Sequence, residues 1–194
     1  MIYDALNAVM SRFIHLTDKE RMMVESAFSV KQVPKNFVLV SAGEISKELY
    51  FINKGLMRLY YDKEGEYITA YIFREHLFAG CYESFVTQTP GIQYLETLEE
   101  CELLSITKEA LEELYEKVPK VNVLTRKVAE QRFINGQIIL SSFLLDSPET
   151  RYAKFVKANG DLFLRIPHHI IASYLGITPV SLSRIRKRLI EKGE

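Results

Sequence analysis

The segment Leu175-Gly176-Ile177-Thr178-Pro179 constrains the fold most, because it ends one helix and begins another within a few residues. Gly176 suits the left-handed conformation that terminates a helix. Thr178 can N-cap the next one, with Pro179 at its first position, where a missing N–H costs nothing. Before the break stand Ile170, Ile171 and Leu175, with small Ala172 where a second helix can approach closely. After it Leu182, Ile185 and Leu189 fall three and four apart on one face, while Ser181, Ser183, Arg184, Arg186, Lys187 and Arg188 take the remainder. Two short helices around a tight turn, the second apolar on one side and basic and hydroxylic on the other, read as a helix-turn-helix with its recognition helix. The plainer alternative is a helical hairpin with a solvated basic face. The charge distribution favours the former. From Arg151 to Glu194 nine Lys/Arg stand against three acids, or +6, so residues 1–150 carry −6 in a chain of zero formal net charge. A basic C-terminal quarter on an acidic remainder suggests two modules, one of which meets a polyanion.

A chain of 194 residues allows one large domain or two small ones, and 47% hydrophobic with 26% charged residues is a globular composition. No apolar run approaches the ~20 residues of a membrane span. Met1-Ile2-Tyr3-Asp4-Ala5-Leu6 lacks the basic start and apolar core of a signal peptide, so the expected compartment is the cytoplasm. Cys81 and Cys101 make no disulfide framework and are expected as free thiols.

Residues 3–30 read as helical, with Leu6, Val9, Met10 and Phe13 on one face and a capping box at Thr17 to Glu20. Pro34 ends that region. From Asn36 to Ile106 come short β-rich runs: Phe37–Val40, Leu49–Ile52, Leu56–Tyr61, Tyr67–Phe73, Gln93–Leu98 and Glu102–Ile106, the early ones separated by turns at Gly43, Gly55 and Gly65. This spacing predicts an antiparallel barrel or sandwich, which at this size can hold one small ligand. Lys108 to Tyr115 is a short helix. Pro119 then begins an apolar-periodic segment that reaches about Leu145, ~40 Å as a helix. Val121, Leu124, Val128, Gln131, Asn135 and Ile138, continued by Ser142 and Leu145, alternate three and four apart and are the expected dimerisation seam. Phe133, Ile134, Leu140 and Leu144 form a second face, expected to pack on the barrel and the C-terminal module. The alternative is a single helix packed on its own domain. Ser147-Pro148-Glu149 caps a further helix over Thr150–Ala158, with a domain hinge at Asp146-Ser147. The expected class is therefore α+β: an antiparallel β-roll or jelly-roll sensor domain over 1–118, a long dimerisation helix over 119–146, and a helical helix-turn-helix domain over 147–194.

The order of these parts, with Gly43 to Tyr61, Ser147-Pro148-Glu149-Thr150-Arg151-Tyr152 and Ile171 to Arg186, resembles the CRP/FNR superfamily of bacterial transcription regulators. The resemblance covers nearly the whole chain. It implies a cyclic-nucleotide-binding-like β-roll, a dimerising helix and a winged helix-turn-helix that binds a palindromic operator in double-stranded DNA as a homodimer and recruits or blocks RNA polymerase. It further implies that Arg184 reaches a guanine edge, that Pro179 and Val180 stand where other members often carry Arg and Glu, and that apolar contact with a thymine methyl can replace polar readout there. Thr178, Ser181 and Ser183 suit phosphate or base hydrogen bonds, and Arg186, Lys187 and Arg188 suit phosphates.

Three departures bear on the effector. Members that bind cyclic AMP share a cassette of roughly Gly-Glu-Leu followed by Arg-Ser/Thr-Ala. Here Cys81 in Phe78-Ala79-Gly80-Cys81-Tyr82 stands where the Glu would be, and Gly91 to Leu98 contains no Arg or Lys, while Glu96 adds negative charge. A phosphodiester buried without a cation is disfavoured, so cyclic AMP is not the expected ligand. Two cysteines do not supply the four of an iron–sulfur cluster. The chain stops at Glu194 soon after the recognition helix, so the expected wing is minimal or missing. Any effector is thus unidentified, with Tyr60, Tyr71, Phe73, Cys81, Tyr82 and Tyr94 as candidate lining residues. No cofactor and no metal are expected. An enzyme of the cupin type is excluded because the barrel segment holds only His76. The remaining rival is an effector-binding sensor or interaction protein whose DNA-binding module is weak or vestigial.

Overall fold

A computed structural model describes residues 1–192. Two short helices, α1 (Asp4–Met10) and α2 (Asp18–Ser26), open the chain, and Thr17 and Glu20 close a reciprocal capping box at the start of α2. Eight strands follow: β1 (Ser29–Val33), β2 (Val38–Val40), β3 (Glu48–Lys54), β4 (Met57–Lys63), β5 (Glu66–Phe73), β6 (Phe78–Ala79), β7 (Tyr94–Thr97) and β8 (Cys101–Thr107), with α3 (Tyr82–Thr87) between β6 and β7. They form two antiparallel four-stranded sheets, ordered β1-β8-β3-β6 and β2-β7-β4-β5. The chain then continues as α4 (Lys108–Lys117), α5 (Lys120–Leu145), α6 (Pro148–Asn159), α7 (Leu162–Arg165), α8 (His168–Tyr174) and α9 (Pro179–Lys192).

Alternation along the strands divides the apolar residues between two layers. Ile52, Leu59, Phe73, Leu95 and Leu103 meet between the sheets. Phe51 and Leu104, one position over, turn outward against Leu6, Met10, Leu111 and Leu114 of the helices. The turns follow from glycine: Gly55 and Gly65 sit at φ +98° and +89°, which side chains rarely adopt.

Three elements escape the hydrophobic pattern. In β1 only Val33 is buried, so its pairing with β8 leaves no alternating signature. β6 is two residues long, and α7 is a single turn. The C-terminal helices build a core from Tyr152, Phe155, Leu162, Ile171, Leu182 and Ile185, and this core also takes in Leu56, Ile72 and Leu98 of the roll.

Polar contacts reinforce the same junction. The Ser173 hydroxyl accepts from the Thr69 amide at 2.8 Å and donates to the Tyr67 carbonyl at 2.8 Å, occupying the free edge of β5. Arg74 pairs with Asp161 at 2.6 Å. Arg165 bridges Glu75 and Glu99, with Glu99 at 2.6 Å. Burial alone raises the Glu75 pKa, but the Arg165 hydrogen bond and charge prevail and hold it below the usual 4.5. Its folded pKa being depressed, Glu75 contributes its full stabilisation above that usual value and loses it as pH falls through the lower folded value. Acidification below the depressed folded pKa of Glu75 is therefore expected to loosen α8 from β5, read as faster hydrogen exchange at the Thr69 amide in wild type than at neutral pH after correction for intrinsic rates. Arg165→Ala should show that fast exchange already at neutral pH; equal protection in both proteins at both pH values would remove the clamp from the account.

Candidate functional site

In α8 and α9 the local chemistry sets which side chains are free. Gly176 takes φ +64° and its amide is bonded to Ser173 O, while Ile177 N bonds to Ala172 O, closing the end of α8. The Thr178 hydroxyl accepts from Ser181 N at 3.1 Å and so caps α9. Leu182 and Ile185 are buried, which fixes the rotation of α9 and turns Pro179, Val180, Ser183, Arg184, Lys187 and Arg188 outward. Arg184 is exposed and carries no hydrogen bond or ion pair among the described residues.

The other sequence-derived contact residues are partly committed within the module. Thr178 and Ser181 bond each other's groups at the cap, and Ser183 Oγ donates to the Pro179 carbonyl one turn back. Arg186 is not on the free face: its guanidinium lies 5.2 Å from the Phe163 ring and against the His168 imidazole. Arg188 pairs with Glu149 at 3.1 Å, half exposed. Any wing past Lys192 lies outside the described residues, as do the last two residues of the 147–194 domain.

On α5 the expected seam divides. Val121 and Leu124 are buried in the chain's own core with Leu6 and Phe51, and Val128 packs against the same cluster, so these three do not face outward. Asn135 donates to the Tyr71 hydroxyl at 3.2 Å and accepts from Gln131 at 3.0 Å. Gln131 and Ile138 are exposed. Phe133, Ile134, Leu140 and Leu144, expected against the barrel and the C-terminal module, are exposed by half or more. The reason is geometric: α5 leaves the roll after about Asn135, and Phe133 and Ile134 face Phe155 and Tyr174 of the C-terminal helices only across an open groove of about 600 Å³.

The candidate effector residues separate as well. Tyr60 and Tyr94 stack at 4.9 Å, but they alternate with Leu59 and Leu95, which are in the inter-sheet core, and so point out of the roll. Beside them Arg58 pairs with Glu96 at 2.7 Å and lies 4.2 Å from the Tyr60 ring. The negative charge expected from Glu96 is thus already compensated, by a residue 38 positions away in the sequence. Phe73 and Cys81 are core residues, each about 1% exposed. Burial pushes the Cys81 thiol up to about 12 and the Cys101 thiol up to about 11, so neither is a nucleophile at neutral pH. Tyr71, Phe73 and Tyr82 do share a site, with a residue that the sequence reading passed over: Arg132 of α5 lies 5.7, 5.0 and 5.9 Å from their ring centroids. Arg132 alternates with solvated residues on a polar stretch of helix, and only its three- and four-residue spacing from Val128 and Asn135 marks its inward face.

Among the described residues no group of His, Cys, Asp and Glu is placed to hold a metal ion, and no helix is long and apolar enough to cross a membrane.

Residues 30–118, from β1 through α4, match the cyclic nucleotide-binding domain family. No curated protein matches the sequence significantly. Solved structures share the fold over almost the whole chain. FixK2 from Bradyrhizobium japonicum superposes with a TM-score of 0.75 at 14% identity, covering 86% of this chain and 86% of that one. A mutant of CooA from Carboxydothermus hydrogenoformans gives 0.73 at 16% identity, over 95% and 88% of the two chains. CLP, the c-di-GMP responsive global regulator of Xanthomonas campestris, gives 0.71 at 17% identity, over 91% and 93%. At these identities the likeness is one of fold: a cyclic-nucleotide-binding-type roll followed by a long helix and a helical C-terminal module.

Proposed function

We propose that the protein is a DNA-binding transcription regulator of the CRP/FNR type. It acts as a cytoplasmic homodimer on a palindromic operator, with RNA polymerase as its partner at the promoter and an effector other than cyclic AMP in the roll. The observation that carries this reading is the outward face of α9, where Arg184 stands free beside Val180, Ser183 and Lys187. A helix held by Leu182 and Ile185 and presenting an unpaired arginine can lie in a major groove, with Arg184 bidentate to guanine O6 and N7. Pro179 and Val180 at its N-terminal end suit a thymine methyl. The exposed apolar half of α5 supports pairing of two copies, which would set two half-sites about one helical turn apart. Against cyclic AMP stand Cys81 at the head of α3 and the absence of a cation between Gly91 and Leu98. No cofactor is required.

The test is fluorescence anisotropy of a duplex from the protein's own upstream DNA, against a scrambled duplex, across a salt series. Sequence-preferring affinity that falls linearly in log salt is expected, because neutralised phosphates release counterions. Arg184→Ala is expected to cost about 1–3 kcal/mol on the operator and to blunt discrimination at one base pair. Equal loss on both duplexes would make Arg184 a phosphate contact. A second reading, a sensor with a weak DNA module, draws on Arg186 and Arg188 being engaged inside the module. Wild-type affinity no better for operator than for scrambled DNA, with and without metabolite extract, would favour it.

A further inference from the structure

The site around Arg132 has an electrostatic deficit. An arginine taken out of water ordinarily has a carboxylate against it, since burying an unpaired charge is costly. Arg132 has none among the described residues: its one hydrogen bond runs from Nη1 to the Phe78 carbonyl at 3.2 Å, and its remaining donors are unspent. The rings of Tyr71, Phe73 and Tyr82 surround it, and cation–π attraction compensates only part of the lost hydration. Burial accordingly lowers the pKa of the guanidinium.

Arg132 also lies at a wall shared by two spaces. Inside is an apolar cavity of about 50 Å³ beneath α1, α4 and α5, with Leu49 and Val121 among its walls. Outside is an open groove of about 430 Å³ between α1, the turn before β6, and α5. The charged and titratable groups facing this groove are Arg12, Lys127, Glu130 and Arg132, with the His76 imidazole. Glu130 is the sole acid of that set and is already paired with Lys127 at 2.9 Å and with Arg126. Arg12 is exposed and has no partner among the described residues. The groove is thus positive, walled by Phe13, Tyr71, Phe73 and Phe78, and carries amide and hydroxyl groups at Gln131, Asn135 and Tyr71.

We propose that this groove binds a small organic oxyanion, a carboxylate or phosphate ester on a flat apolar body, with its charged head on Arg132 and its body against the aromatic walls. The proposal rests on the reading of the roll as an effector-binding unit and assigns that effector's chemical class. It moves the anchoring cation from the loop before β7, which has none, to the long helix. An anion there ties α5 to β5 and α3 through one residue, and α5 is the element that leads to α9.

The experiment uses the full chain labelled with ¹⁵N-arginine and follows the Arg132 Nε–H resonance while benzoate, phenyl phosphate and neutral benzamide are titrated in turn, with affinities taken by calorimetry. Benzoate and phenyl phosphate are expected to shift that resonance saturably, and benzamide to bind about tenfold more weakly or worse, because the charge-assisted hydrogen bonds are lost. Arg132→Gln is expected to abolish the preference for anions, while Arg184→Ala on α9 leaves it intact, which separates failure of this site from failure of the DNA reading. Equal binding of benzamide and benzoate, no saturable shift with either anion, or wild-type anion affinity in Arg132→Gln would each overturn the proposal. The resonance measurement is made on wild type, so it stands even if Arg132→Gln does not fold.

Discussion

Replacing Ile138 with arginine is expected to leave each protomer folded and to dissociate the homodimer proposed above. Ile138 is 61% exposed on α5, and Ile134 and Leu145, four and seven positions away on the same face, are 50% and 84% exposed, with Phe133 and Leu144 at 69% and 73% on the adjoining face. Single exposed apolar residues need no explanation, but this many on half of one helix form a patch that a soluble chain covers. In the single protomer Ile138 is mostly open to solvent, bordering a groove shared with Phe155 and Tyr174, so a substitution here removes little from the fold. In a helix pair the added guanidinium would be buried against apolar side chains and against its own symmetry mate, at a cost of several kcal/mol. The dimer Kd is expected to rise by about a hundredfold or more, and operator affinity to fall with it because each half-site then binds alone. Sedimentation velocity across a micromolar concentration series checks this. A wild type that sediments as a monomer, or an Ile138→Arg protein that stays dimeric, would mean that α5 does not hold two copies together.

Gly55→Ala is the second large effect, and it acts on the fold. Gly55 sits at φ +98° in the turn where the chain passes from β3 in one sheet to β4 in the other, and a Cβ there would stand 2.6 Å from Cys101 Sγ and 2.7 Å from the Glu100 carbonyl oxygen. Left-handed strain of about 1–2 kcal/mol adds to an overpacking cost of about 1–3 kcal/mol, because the carbonyl is backbone and cannot swing away. Gly55 N also donates to Glu75 Oε1 at 3.2 Å, so a shifted turn disturbs the carboxylate that Arg165 grips. Urea unfolding is expected to show a midpoint lowered by roughly 3 kcal/mol of stability at unchanged m-value. A loss under about 1 kcal/mol would show that the turn can shift to accept a methyl group.

Much of the architecture is legible because its signals are local. The capping box at Thr17, the Ser147 cap with Pro148 after it, the glycine turns and the three-four spacing of Leu182 and Ile185 each act within a few residues. What the sequence hides is set by distance and by strand geometry. Tyr60 and Tyr94 look like lumen residues until pairing sets them opposite each other, one position over from the inter-sheet pair Leu59 and Leu95. Val121 and Leu124 fit a heptad seam, yet the same spacing serves a helix lying on its own domain, and the roll takes them. Arg58 had a signal, standing between buried Met57 and Leu59 in a strand, but its partner Glu96 comes from a different strand. Arg132 had almost none, since one arginine on a long charged helix reads as solvated.

The shared core of roll and C-terminal helices bears on how the chain is made. Leu56, Ile72 and Leu98 leave the ribosome with the roll, whereas the residues that cover them, Ile171 and its neighbours, follow much later in the chain. At roughly 5–20 residues per second, the interval between Leu98 and Ile171 lasts several seconds. Throughout it the roll carries a bare apolar patch beside the unprotected edge of β5, where Ser173 has yet to arrive. Nascent chains stalled before α8 are therefore expected to need a chaperone most, and that need ends when α8 and α9 close over the roll.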